Sequence, residues 1–454
     1  MHLHFLGICG TFMGSLAQLA KSAGHQVSGC DANVYPPMST QLEKSGIELI
    51  QGFDPVQFQP EPDLIVVGNA MSRGNPCVEY MLDHKLPFTS GPQWLGDNIL
   101  KDRHVISVAG THGKTSTTSM LAKILDYANY QTGYLIGGVP QDFGVSAKLG
   151  ETAPNGNQYF VIEADEYDTA FFDKRSKFVH YHSNSLVINN LEFDHADIFE
   201  NLNHIKKHFH HLIRIVPEKG KIISNAQSNA LNEVIKLGVW SDLEYFNDID
   251  GWSYQWQDES SSLNIFYQNK KEGTLTWECI GDHNASNSLA AIAAAHHIGI
   301  PATKSIKALA TFKGVKRRLE KIGEFKDNIK IYDDFAHHPS AIKSTLDGMR
   351  QVLKEGRIIV VFEPRSNTMK LGEMKKELQD SLSSADIVYC FASNLDWDPN
   401  ELFKNNQKIK VSDSTQWILS SIIKEKKPND QIVFMSNGSF SGIQNKCLDL
   451  FKDE

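Results

Sequence analysis

Residues 104 to 115 read His104-Val105-Ile106-Ser107-Val108-Ala109-Gly110-Thr111-His112-Gly113-Lys114-Thr115. The first six have the apolar, β-branched pattern of a buried strand, and the run from Lys114 to Tyr127 repeats apolar residues at helical spacing. A strand, a Gly-rich turn and a helix in this order aim backbone N–H groups at a polyphosphate, to which the helix N-terminus adds its positive end. Lys114 then neutralises phosphate oxygens and the Thr115 hydroxyl is a ligand for Mg²⁺, so Gly110, Thr111, His112, Gly113, Lys114 and Thr115 are the candidate ATP-binding residues. The full-length pattern has Gly where Val108 stands, which makes this a shortened version; the alternative is a tight Gly turn beside a solvated Lys.

A phosphate loop of this kind needs an acid at the end of a neighbouring strand to hold its metal. Tyr159-Phe160-Val161-Ile162 runs directly into Glu163-Ala164-Asp165-Glu166, and Glu163 is the first choice. A second buried run, Leu186-Val187-Ile188, leads through Asn189-Asn190-Leu191-Glu192-Phe193-Asp194 to His195, which is either a metal ligand or a satisfied structural histidine. His204 and His208 stand at i, i+4 on a helical pattern, but the Glu of a His-Glu-x-x-His zinc motif is missing, which favours a solvated helix face.

Farther out, residues up to about 100 alternate short apolar runs (Leu3 to Leu6, Ile47 to Ile50, Leu64 to Val67) with helical stretches such as Gly14 to Ala23, the rhythm of βα units on a parallel sheet. There Gly7, Gly10 and Gly14 follow a strand and Asp31 ends the next; with Cys9 at the second Gly of a dinucleotide fingerprint, this fits a pyrophosphate cradle without naming the ligand. Residues 252 to 280 alternate in period two, as antiparallel hairpins do, and an Ala-rich helix spans Asn287 to His297. The basic, hinge-like Gly314-Val315-Lys316-Arg317-Arg318 precedes a third α/β series with strands at Lys330 to Tyr332, Ile358 to Phe362, Ile387 to Phe391 and Ile432 to Met435. Three α/β domains are expected, at 1–101, 102–313 and 314–454, with antiparallel strands appended to the central one.

Composition agrees with that count. A chain of 454 residues, 41% hydrophobic and 22% charged, is too long for one core of ordinary size and has the make-up of a globular protein. A net charge of −9 argues against nucleic acid or an anionic membrane as partner. The run His2-Leu3-His4-Phe5-Leu6 reads as a first strand rather than a signal or membrane segment, and six scattered cysteines suit a reducing compartment, so a cytoplasmic protein without membrane insertion is expected.

Taken in order, Gly110 to Thr115, Glu163 to Glu166, Asp194-His195, Gly281-Asp282-His283-Asn284, Val315 to Arg318 and Asp333-Asp334-Phe335-Ala336-His337-His338-Pro339 resemble the motifs of the Mur ligase family along essentially the whole chain. The resemblance implies a Rossmann-like N-terminal domain for a UDP-sugar (Gly7, Gly10, Asp31), a central P-loop ATPase domain and a Rossmann-like C-terminal domain for an incoming peptide. It implies ATP and Mg²⁺ as cofactors, with Lys114 on the β and γ phosphates, Thr115 and Glu163 on one Mg²⁺ and His195 on a second. Asn284 is then expected beside the adenine, and Arg317 or Arg318 together with Asp334 completes the nucleotide site.

The implied activity is amide-bond formation through an acyl phosphate on UDP-N-acetylmuramate. Four segments, Ala32 to Thr40, Ser90 to Leu95, Phe171 to Phe178 and Glu363 to Lys370, resemble the members that add L-alanyl-γ-D-glutamyl-meso-diaminopimelate, a recycled muropeptide, rather than those that add free L-alanine. Two departures stand out. Where several members carry a carbamylated Lys this chain has His210 near Lys206 and Lys207, and where diaminopimelate-adding relatives have Asp-Asn-Pro-Arg it has Glu363-Pro364-Arg365-Ser366. Arg365 is the candidate for gripping a peptide carboxylate; His337 and His338 are candidates either for receiving the amine proton or for structure, and His337 is grouped with Arg365 at the peptide site. The competing readings are the L-alanine-adding ligase, a nicotinamide-dependent dehydrogenase built on Gly7, Gly10, Gly14 and Asp31, and a nucleotide-switched binding protein. Oligomeric state has no signature in the sequence.

Overall fold

The computed structural model describes residues 1–34, 38–196, 198–257, 262–393 and 395–452; Tyr35, Pro36 and Pro37, part of the Ala32 to Thr40 segment, lie outside the described residues. Three sheets organise the chain, in keeping with the α/β reading. The N-terminal sheet is wholly parallel in the order Glu48–Gln51, Gln26–Asp31, His2–Leu6, Leu64–Val67, Phe88–Ser90. Its central strand is buried at nearly every position because helices cover both faces of such a sheet.

The middle sheet has a parallel centre, in which Asp242–Phe246, Lys221–Asn225, Ser185–Ile188, His104–Ala109, Tyr159–Glu163 and Gly133–Leu135 lie side by side. The expected hairpins, Trp252–Trp256, Ser262–Tyr267 and Lys270–Thr276, extend one edge, and antiparallel Ala147–Lys148 closes the other. Helix Lys114–Tyr127 begins and ends where the periodicity places it, and its partner is the Ala-rich helix. That helix begins earlier than its alanines suggest, at Asp282, because Gly281 turns the chain at φ +87° and the polar Asp-His-Asn run forms the first turn.

In the C-terminal sheet, Ile329–Asp334, Gln431–Met435, Ile358–Phe362, Ile387–Phe391 and Ile409–Ser412 are parallel, and Glu320–Phe325 adds an antiparallel edge. The basic segment before it is laced to the middle domain: Val315 bridges Pro140, Lys316 N–H donates to the Val139 carbonyl at 3.0 Å, and Gln141 N–H donates to that of Gly314 at 3.0 Å. The turn comes only at Arg317 and Leu319, with φ of +60° and +49°. Among the described residues no helix is long and apolar enough to cross a membrane, and all six cysteines are free.

Candidate active site

Parallel pairing brings the C-terminal ends of three middle strands to one edge, with Val108 opposite Glu163 and Ala109 opposite Ile188. Ligands of open α/β sheets bind at such an edge. The loop from Gly110 to Gly113 is held from across the crevice. Thr111 N–H donates to the Asn190 carbonyl at 3.3 Å, His112 N–H to Asn190 Oδ1 at 2.8 Å, and Asn190 Nδ2 returns a bond to the His112 carbonyl at 3.0 Å. Gly113 needs to be glycine, because φ is +79° and a Cβ would fall 2.5 Å from Asn287 Oδ1.

Lys114 Nζ donates to the Gly110 carbonyl and to Glu166 Oε2, each at 2.7 Å, with side chains only 11% and 3% exposed. Burial pulls the Lys114 pKa down, but Glu166 and Asp165 beside it outweigh that and leave it raised. Thr115 Oγ1 donates to Glu163 Oε1 at 3.0 Å, and Glu163 Oε2 accepts from Gly137 N–H at 2.7 Å. Burial leaves the Glu163 pKa raised even with Lys114 nearby. The hydroxyl and carboxylate oxygens of Thr115 and Glu163 are hard donors at a phosphate loop, and they fit Mg²⁺.

His195, at φ +57°, contacts neither of those two through any described bond. Its Nε2 lies 3.3 Å from Glu166 Oε1 and its Nδ1 2.7 Å from the Tyr167 hydroxyl. Burial lowers its pKa, yet the carboxylates of Glu166 and Asp194 leave it raised. Glu166 therefore joins Lys114 to His195. The sequence offers it within the Glu163 to Glu166 run but gives no sign of that role. Gly137 and Gly138 were also missed: a Cβ on the first would meet Glu163 Oε2 at 2.8 Å, and one on the second Thr115 Cγ2 at 2.9 Å.

The two hinge arginines point in opposite directions. Arg318 Nη2 donates to Thr115 Oγ1 at 3.2 Å, which puts the C-terminal segment on the phosphate loop. Arg317 instead reaches the Ser436 and Gly438 carbonyls, both at 2.7 Å, and Asp333 at 3.2 Å. Asp334 accepts from Leu319 N–H at 2.6 Å and Ala336 N–H at 2.7 Å, and burial pushes its carboxyl up to about 6. Further ties join the two domains. Thr368 Oγ1 donates to Asp194 Oδ1 at 3.0 Å, and His337 Nε2 stands 3.9 Å from Asp194 Oδ2. Burial alone would raise Asp194, but His195 and His337 hold it down at about 2.

Asn284 donates to the Ile280 carbonyl at 2.8 Å, in the first turn of its helix and not on the loop. Two residues earlier, Asp282 Oδ1 accepts from Tyr254 Oη at 2.9 Å and Trp256 Nε1 at 2.7 Å, on the wall of a cavity of about 310 Å³ that Asn247 and Gln227 also line. A second cavity, of about 450 Å³, joins Ser90 and Gln93 at the end of the N-terminal sheet to Phe172, Asp173 and Arg175 of the middle domain. Two of the segments singled out in the sequence thus meet at one place. Gly7, at φ +80°, Cys9 and Asp31 form the nearby turn, where Cys9 N–H donates to Asp31 Oδ2 at 3.0 Å and Gly10 precedes helix Thr11–Ser22. Arg365 is exposed beside Gly438, on the loop that Arg317 also holds. The histidine pair on Leu202–Ile213 is not on a solvated face as expected: His208 is half-buried, 2.7 Å from Ser176 Oγ and 3.3 Å from His204, because the helix packs that side against the segment before Tyr181.

Comparison with known proteins agrees with this arrangement. Residues 2–103 match the Mur ligase family catalytic domain, 108–295 the Mur ligase middle domain and 317–438 the Mur ligase glutamate ligase domain. The chain is 50% identical to the UDP-N-acetylmuramate--L-alanyl-gamma-D-glutamyl-meso-2,6-diaminoheptandioate ligase of Escherichia coli, over 99% of this chain and 98% of that one. It is 48% identical to the Haemophilus influenzae protein of the same name over 99% of each. A crystal structure of a murein peptide ligase from Psychrobacter arcticus, 45% identical, superposes with a TM-score of 0.76 over 100% of this chain and 99% of that one. Three sheets, a phosphate loop answered by acids and an arginine from the third domain, and likeness at full length converge on one statement: this chain belongs to the Mur ligase family.

Proposed function

We propose that the protein joins L-alanyl-γ-D-glutamyl-meso-diaminopimelate to UDP-N-acetylmuramate at the expense of ATP, recycling a wall peptide in the cytoplasm. The observation that carries the choice of acceptor is the full-length likeness, at 48 to 50% identity, to two ligases whose names specify that peptide. The geometry supports the chemistry. A carboxylate is a poor electrophile, so the γ-phosphoryl group of ATP passes to the muramyl carboxylate, giving an acyl phosphate and ADP. The peptide amine then attacks the acyl carbon, inorganic phosphate leaves, and the amine gives up its proton.

In this reading Lys114 exchanges Glu166 for the β and γ phosphates, and Arg318, already on Thr115, spreads the charge of the transferring group. Thr115 and Glu163 would hold Mg²⁺, which when bound would neutralise further phosphate charge, and His195, 3.3 Å from Glu166, would serve a second ion. The cavity at Tyr254, Trp256 and Asp282, beside Asn284, takes the adenine, and the one at Ser90, Gln93 and Arg175 takes part of the UDP-sugar. Arg365 grips a peptide carboxylate, and His337 is assigned to the same substrate. The test is phosphate release from ATP, Mg²⁺ and UDP-N-acetylmuramate with either the tripeptide or L-alanine as acceptor. Release with the tripeptide, and a product of matching mass, is expected; release only with L-alanine would refute the assignment.

A further inference from the structure

A second group of side chains beside the loop faces the C-terminal domain. His112 of the loop, Glu192 after the strand Ser185–Ile188, and His338 at the N-cap of helix Pro339–Val352 each offer one ligand atom, and the three atoms lie within 4.8 Å of one another. His112 Nε2 is 3.6 Å and His338 Nδ1 3.5 Å from Glu192 Oε2. Two ligands bonded at about 2.0 to 2.1 Å to one tetrahedral ion stand roughly 3.3 Å apart. Both contacts to Glu192 are close to that, and the two imidazole nitrogens start within 4.8 Å of each other.

The ring nitrogens are oriented for this. His338 Nε2 lies 3.2 Å from the Phe193 carbonyl, a group that only accepts, so Nε2 carries the proton and Nδ1, 3.5 Å from Glu192 Oε2, the lone pair. The competing donor to Nδ1, Ser340 N–H, is a long 3.3 Å away, while Ser340 Oγ holds Glu192 Oε2 at 2.5 Å. His112 Nε2 is buried with no hydrogen-bond partner within 3.5 Å among the described residues, and its backbone is clamped by Asn190. Two imidazoles with one carboxylate select zinc-like ions over Mg²⁺, which prefers oxygen.

We propose that His112, Glu192 and His338 form a site for a zinc-class divalent ion, distinct from the Thr115 and Glu163 pair, that staples the C-terminal domain to the phosphate loop. A fourth position is left for water or an anion. The site needs no substrate, so it stands or falls independently of the ligase assignment.

The test is titration of the metal-free full chain with Co²⁺, read by the visible absorption of a tetrahedral complex, with Zn²⁺ and Mg²⁺ as competitors. One saturable equivalent, displaced by Zn²⁺ and not by millimolar Mg²⁺, is expected. His338→Asn keeps a helix cap and Glu192→Gln keeps the shape, and each should weaken binding by at least about tenfold. Circular dichroism checks that each variant is folded. The chain also carries the adjacent His204 and His208, so their double Ala variant must bind as the wild type does. No saturable band, binding unchanged in either His338→Asn or Glu192→Gln, or binding lost only with His204 and His208 would overturn the proposal.

Discussion

Removing Glu166 tests how strongly the buried Lys114 of the phosphate loop depends on its carboxylate partner. Its carboxylate is 2.7 Å from Lys114 Nζ, and both groups are buried. At an effective dielectric constant of about 20, two unit charges at that separation attract by roughly 6 kcal/mol. Dehydrating both ions offsets much of this, and Lys114 keeps the Gly110 carbonyl as a second partner, so a net coupling of about 2 to 3 kcal/mol is expected. The measurement is a double-mutant cycle in urea denaturation with wild type, Lys114→Met, Glu166→Gln and the double variant. Each single change leaves one buried group unmatched, and the double variant should cost less than their sum by that coupling. Saturating ATP should then shrink the penalty of Glu166→Gln, because phosphate takes the place of the carboxylate. Single losses that add within about 0.5 kcal/mol would refute the claim that the two groups compensate each other.

Lys114→Ala should abolish ATP-dependent ligation while leaving UDP-sugar binding, read by calorimetry, essentially unchanged. Arg318→Ala should lower kcat by about 10³-fold or more, whereas Arg317→Ala, which loses carbonyl bonds inside its own domain, should act mainly on thermal stability; equal kcat effects would contradict the division of labour. Asp334 in the native state keeps its proton to about pH 6 against an ordinary value of 3.8, so the native state binds more protons between those limits and stability falls as pH rises through them. The wild type should lose about 2 kcal/mol from pH 4 to pH 6 relative to Asp334→Asn in denaturation experiments, and a pH-independent difference would count against it. Gly113→Ala should cost about 1 to 2 kcal/mol from backbone strain and weaken ATP binding further by displacing Asn287, measurable by melting temperature and nucleotide titration.

Local features were the legible ones. The unit His104–Ala109, loop, Lys114–Tyr127 could be read because strand and helix periodicities meet at two glycines, and Thr115 with Glu163 followed from what a phosphate loop requires. The choice among Glu163, Asp165 and Glu166 was harder. A chain leaving a strand turns successive side chains in different directions, so Glu163 meets Thr115 while Glu166 folds back onto Lys114. Arg317 and Arg318 were inseparable for a similar reason: the positive φ at Arg317 sends neighbours to different domains. Gly137 was invisible, since its partner Glu163 comes 26 residues later and no local pattern encodes that distance. The polar first turn at Asp282 falls outside the helix read from Asn287 because the alanines begin only afterwards.

The lacing of Gly314, Val315 and Lys316 to Val139, Pro140 and Gln141 puts the fulcrum of the third domain at Arg317. Displacement in a rotation grows with distance from the fulcrum. Ile409–Ser412 is the far edge of that six-stranded sheet, roughly 24 Å from the near one at about 4.8 Å per strand, so a swing of about 10° carries it about 4 Å. Arg318 is one residue from the fulcrum, and the same swing moves its Cα by less than about 0.7 Å. The lever's short arm can therefore keep the Arg318 guanidinium on Thr115 while the far edge of the sheet is displaced several times as much.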